Sequence, residues 1–115
     1  MALEKCVVLI PLAFNDGRSV PETVVQGLLD QLWVEFGGFF VAGTGSGAYR
    51  MSDGRRRDDD CLEVWVGVPT EEGSGVTRLR AICGAMAEKL GQETIYFERT
   101  GAKIEFIPPG GGLFK

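Results

Sequence analysis

Residues Cys61 to Val68 read CLEVWVGV. In an extended chain Leu62, Val64, Val66 and Val68 project to one side. Cys61, Glu63, Trp65 and Gly67 project to the other, by the two-residue period of a strand. One side suits a packed core. The other carries a tryptophan and a carboxylate, a mixture that neither a simple core face nor a simple solvent face uses. The elements around this strand fix the class of fold.

Upstream, Lys5 to Phe14 (KCVVLIPLAF) is apolar at nearly every position, the pattern of a strand buried on both sides. Pro11 lacks an amide hydrogen, so an edge or bulge is expected near it. Asn15-Asp16-Gly17-Arg18 is turn chemistry. Ser19-Val20-Pro21-Glu22 fits a capping box and predicts a helix opening at Ser19. Val25, Leu28, Leu29, Leu32, Trp33 and Phe36 then recur at helical spacing. Gly37-Gly38 ends that helix, with a left-handed residue as the expected cap. Phe39 to Met51 (FFVAGTGSGAYRM) predicts a strand that loses regularity in its glycines. Ser52 to Asp60 predicts a polar loop.

Downstream, Pro69 to Gly75 predicts a loop with Ser74 as a cap. Val76 to Leu90 predicts a second helix with Leu79, Ile82, Cys83, Met86 and Leu90 as its apolar stripe. Gly91 ends it. Thr94 to Glu98 (TIYFE) predicts a strand, Thr100-Gly101 a turn, and Ala102 to Ile107 (AKIEFI) a short extra strand. The order is β-α-β-β-α-β, so the expected class is an α+β, ferredoxin-like sandwich with two helices on one face of an antiparallel sheet and an extra short C-terminal strand. One domain is expected over residues 1–107. A flexible Pro/Gly-rich tail is expected over 108–115, with Leu113 and Phe114 oddly apolar at its tip.

Composition narrows the chemistry. The 115 residues include no histidine, which removes triads, Cys-His dyads and imidazole bases within one chain. The net charge of −4 argues against a nucleic-acid partner. The three cysteines, Cys6, Cys61 and Cys83, lie in apolar runs with no C-x-x-C spacing, as buried thiols of a reducing cytoplasm do. No basic leader and no long apolar run point to export or to a membrane. Gly43-Thr44-Gly45-Ser46-Gly47 lacks the helix start and the Lys-Ser/Thr pair of a phosphate loop. Arg55-Arg56-Arg57-Asp58-Asp59-Asp60 neutralises itself and lacks calcium-loop spacing, so neither an anion site, a metal nor a cofactor is read there.

Two helices cover one sheet face only, and the other is too apolar for water. Glu63, Trp65, Tyr96 and Glu98 are expected to share that open face, with Tyr49 and Arg50 nearby. Glu63, Glu98 and Tyr96 are the candidate catalytic residues, because a carboxylate on an aromatic surface can act as acid or base. Trp65, Tyr49 and Arg50 are the candidate ligand-binding residues. A bland alternative pairs Glu63 and Glu98 with Arg50 or Arg99 at an interface rim. A homodimer through the open face is the expected assembly, the alternative being that the C-terminal tail or the Gly-rich segment folds over it.

Phe36-Gly37-Gly38, Gly45-Ser46-Gly47-Ala48-Tyr49-Arg50 and Leu90-Gly91-Gln92-Glu93 together resemble segments of small uncharacterised bacterial proteins of the domain-of-unknown-function type. These share F-G-G, G-x-G-x-[WY] and G-Q-E motifs, and the similarity covers about residues 5–98. It implies the α+β fold and no activity. The sequence favours a non-catalytic, homodimeric ligand- or protein-binding module. The alternatives are a His-free isomerase or lyase with a Glu base on the open face, and an accessory protein of a mobile element or defence system.

Overall fold

The computed structural model describes residues 2–71 and 74–112. The chain runs β1 (Leu3–Pro11), α1 (Glu22–Phe36), β2 (Phe40–Arg50), β3 (Arg56–Pro69), α2 (Ser74–Leu90) and β4 (Phe97–Ile104), followed by a 3-10 segment at Pro109–Gly112. The four strands form one antiparallel sheet in the order β2-β3-β1-β4. This is an α+β architecture compatible with the ferredoxin-like class. Leu113 and Phe114, expected at the apolar tip of the tail, lie outside the described residues.

The core follows from strand parity. Cys6, Val8 and Ile10 of β1 and Val64, Val66 and Val68 of β3 are buried on one face. They meet Val25, Leu28, Leu29 and Leu32 of α1 and Val76, Leu79, Ile82, Cys83, Met86 and Leu90 of α2. Each fully buried side chain of this size contributes about 1.5–3 kcal/mol of apolar burial. Both helices therefore lie on the even-numbered side of β1 and β3. The odd-numbered side is left without a helix.

Four sequence expectations change. First, α1 begins at Glu22, its N-cap is Pro21, and no side-chain cap forms. Ser19 is instead held in a bridge to Ala13, so the capping box does not close. The other end behaves as expected: Gly37 is left-handed and its amide closes on the Trp33 carbonyl at 2.8 Å.

Second, β2 loses regularity at one glycine only: its register shifts between Val41 and Gly43, where Gly43 has φ +147°, and the ladder is regular from Gly43 to Arg50. Third, the polar loop shortens. Arg56 to Asp60 belong to β3 and pair with Ser46 to Arg50, which leaves a turn around Met51 to Arg55. Opposite charges two residues apart share a face, so this charged run neutralises itself while it stays extended.

Fourth, the extra C-terminal strand does not exist. Thr100-Gly101 is not a turn between two strands but an irregularity inside β4, where the pairing with β1 shifts between Glu4 and Cys6. Gly101 has φ +74°, which suits glycine. The Thr100 hydroxyl bridges the gap, donating to the Lys5 carbonyl at 2.9 Å and accepting from the Ala102 amide at 3.0 Å. β1 can therefore pair with both halves of β4, which stays a single edge strand. The second helix begins at Ser74, two residues before the expected start at Val76, so Ser74 lies inside the helix and not at its cap.

Burial pushes the thiols of Cys6 and Cys83 up from 9.0 to about 11. The folded state thus holds protons that the unfolded chain releases first. Stability is complete below pH 9.0 and declines as pH rises towards about 11. Urea midpoints measured from pH 8 to 11 are expected to fall more steeply for the native chain than for a Cys6→Ala/Cys83→Ala variant.

Candidate functional site

The register gives the open face a simple map. Phe40, Trp65, Val7 and Glu98 form one cross-strand row from β2 to β4. Gly43, Glu63 and Leu9 form the next, and Tyr96 joins it through a bond from the Leu9 amide to the Tyr96 carbonyl at 3.1 Å. Gly45, Cys61 and Pro11 follow. Gly47 with Asp59 and Tyr49 with Arg57 complete the β2–β3 end.

The structure thus brings Glu63, Trp65, Tyr96, Glu98 and Tyr49 onto one face. Arg50 is not with them. It follows Tyr49 by one residue, so alternation turns it to the opposite side, where it is exposed and paired in register with Arg56. This corrects its place among the candidate ligand-binding residues. Nor do Glu63 and Glu98 form a rim with Arg50 or Arg99. Arg99 pairs with the buried Glu4 at 2.7 Å on the helix side of the sheet.

Each carboxylate instead takes a hydrogen bond from an aromatic neighbour on its own strand or just before it. Trp65 Nε1 donates to Glu63 Oε2 at 2.6 Å. The Tyr96 hydroxyl donates to Glu98 Oε1 at 2.9 Å, and that bond holds the Tyr96 phenol above its usual range. No arginine or lysine forms an ion pair with Glu63 or Glu98 among the described residues.

A cleft of about 410 Å³ lies over this surface. Gly45 and Gly47 line its β2 side, Leu9, Pro11 and Cys61 its middle, and Tyr49, Glu63 and Tyr96 its walls. A side chain added at Gly43, Gly45 or Gly47 would meet nothing within 4 Å, so the glycines leave the β2 side of the face open. The Tyr49 hydroxyl is buried and lacks a hydrogen-bond partner among the described residues. Burial, followed by the charge of Asp59, holds its phenol above the usual range, so it is a neutral donor. A second hollow of about 690 Å³ lies at the Trp65 end, with Lys5, Phe40 and Phe106 among its walls.

Sequence reading missed the support under Tyr49. Arg57 pairs with Asp59 at 3.0 Å, with only 11% and 8% of their side chains exposed. Arg57 also donates to the Phe14 carbonyl at 2.6 Å and to Asn15 Oδ1 at 2.7 Å. The signal was the alternation within Arg56 to Asp60. Arg55 and Arg56 find their own aspartates, Asp53 and Asp58, so each of the three guanidiniums already has a carboxylate. The role missed for Lys5 is its position 3.5 Å over the Trp65 ring, which strand alternation permits but cannot announce.

No family model matches the chain. No curated protein matches it either. Among solved structures, the chain is similar to a phage SAM lyase in complex with S-methyl-5'-thioadenosine, with a TM-score of 0.61 at 13% identity over 90% of this chain and 85% of that one. The apo state of a phage SAM lyase gives a TM-score of 0.61 at 12% identity over 90% and 86%. At that identity the likeness concerns the fold.

Replacing Arg57 by Leu leaves Asp59 buried without its partner. The expected cost is about 3 kcal/mol in a urea unfolding experiment. The double change Arg57→Leu/Asp59→Leu is expected to recover most of it.

Proposed function

We propose that the open-face cleft binds a small organic cation of the sulfonium-nucleoside class, and that the chain cleaves its carbon–sulfur bond as a His-free lyase. The observation that carries this reading is Glu63. It is a half-buried carboxylate on an aromatic surface with no cationic partner among the described residues. Such a group attracts a ligand cation, and the aromatic faces beside it favour a cation that is poorly hydrated. The fold shared with phage SAM lyases supports the same chemistry.

A sulfonium suits a site without histidine. When the carbon–sulfur bond breaks, both electrons leave with sulfur and the product is a neutral thioether. No acid is needed to protonate a leaving group. The carbon left electron-poor is satisfied in one of two ways. Glu63 takes a proton from the adjacent carbon and that C–H pair becomes a double bond, or the substrate's own carboxylate supplies the electron pair and closes a ring. The first uses Glu63 as a base. The second uses it to hold the cation. The Tyr49 hydroxyl, with no partner among the described residues, donates to an acceptor on the ligand.

Incubation with SAM and chromatographic detection of S-methyl-5'-thioadenosine tests the reading. Product release is expected from the native chain, with a loss of about 100-fold in Glu63→Gln. The identity of the second product separates the two routes. The proposal is refuted if the native chain shows no binding and no cleavage of SAM.

A non-catalytic module on the same face is the second reading. It is favoured by the exposure of Phe40 (59%), Tyr96 (55%) and Phe106 (82%), large apolar groups that a second copy would cover. Light scattering at micromolar concentration is expected to give twice the chain mass, and a single-chain mass would remove the dimer.

A further inference from the structure

Trp65 is held on three sides. Lys5 Nζ lies 3.5 Å from its ring centroid. The Phe40 ring is tilted by 30° with centroids 5.2 Å apart. Glu63 accepts the indole N–H at 2.6 Å. Together these form a seat for a cation: an indole face, a second ring and a carboxylate attached to the indole edge. The seat is already filled, and its occupant belongs to the chain. The Lys5 ammonium forms no ion pair among the described residues, and neither does Glu63. A charged pair was available on this face, yet the ammonium rests on the ring.

Trp65 and Lys5 line the hollow beside the cleft, and Glu63, which lines the cleft, joins the two by holding the indole edge. We infer that the face of Trp65 is a cation subsite adjoining the cleft, and that Lys5 is a tethered cation which must leave it before a ligand's cation can enter. This rests on the organic-cation reading proposed above and assigns the residue that controls entry. The exchange is balanced in charge, because one monocation replaces another on the same ring. It is also selective. Lysine sits on a flexible four-carbon stem with three N–H donors, so once displaced it regains hydrogen bonds from water or from Glu63. A sulfonium or alkylated ammonium has no such donors to satisfy and gains most from the ring. Lys5 thus raises the threshold for every cation while leaving a neutral thioether unaffected. A neutral product meets no such seat, which favours its release.

The test is calorimetric titration with two probes. One is an uncleavable adenosyl analogue that carries a charged ammonium in place of the sulfonium. The other is neutral S-methyl-5'-thioadenosine. Lys5→Met is expected to bind the charged analogue about tenfold tighter than the native chain, the scale of one cation–π contact. Lys5→Arg keeps a cation on the ring and is expected to stay near native affinity. The neutral probe is expected to change by under about twofold in both variants. So is the charged probe in Lys103→Met, which removes a charge at the same end of the molecule but off the ring and reports general screening. Circular dichroism of each variant shows that it is folded. Native binding without a gain in Lys5→Met overturns the role of Lys5 and leaves the cation reading standing. An equal gain for the neutral probe, or in Lys103→Met, also overturns it. Binding of neither probe to any variant overturns both.

Discussion

Two helices cover one face of a sheet and leave the other to find its own cover. Everything distinctive in this molecule follows from that limit. β1 is a central strand, hydrogen-bonded to β3 on one side and β4 on the other, and it is apolar on both faces. Its even residues are sealed under α1 and α2. Its odd residues have only their neighbours on the sheet. Val7 is nevertheless buried, because Trp65 and Glu98 flank it in register. The open face is therefore an organised surface, with the bulk on β3 and β4 and the space on β2.

Charge on that face is handled locally. In the β2–β3 hairpin Arg57 and Asp59 cancel each other two residues apart and anchor the loop after β1 through Phe14 and Asn15. Nearer the centre the carboxylates do not cancel. Glu63 and Glu98 each take one hydrogen bond from an aromatic group and form no ion pair among the described residues. One end of the face is thus electrically closed, and the middle has a capacity for cations. Without histidine, carboxylates, phenols and one indole are the groups left to use that capacity, which favours chemistry whose leaving group needs no proton.

Much of the fold was legible. CLEVWVGV announced its two faces, and both helices showed their stripes, because amphipathic periodicity reports directly on burial. The readings that failed share a cause. Ser19-Val20-Pro21-Glu22 carries the letters of a capping box, but the Ser19 backbone is needed to bridge Ala13, and a cap is optional where a tertiary hydrogen bond competes. Thr100-Gly101 looks like a turn until a long central partner is available to pair with both sides of it. Arg55 to Asp60 looks like a solvated loop until β2 supplies a ladder that makes the alternation of signs count. In each case local chemistry allowed two outcomes and a distant strand chose.

The candidate site divides in the same way. By itself the sequence determined that histidine chemistry is absent, that Glu63 and Trp65 share a side of one strand, and that Tyr96 and Glu98 share a side near another. Residue type and a period of two are sufficient for those statements. Only the tertiary structure decided that the two pairs flank β1 on one surface, that Tyr49 belongs there and Arg50 does not, and that Lys5 sits on Trp65. Those facts depend on register, on one irregularity in β2 and one in β4, and on which of several nearby partners a flexible ammonium selects. Register is settled by backbone pairing between segments dozens of residues apart, and no local pattern encodes it.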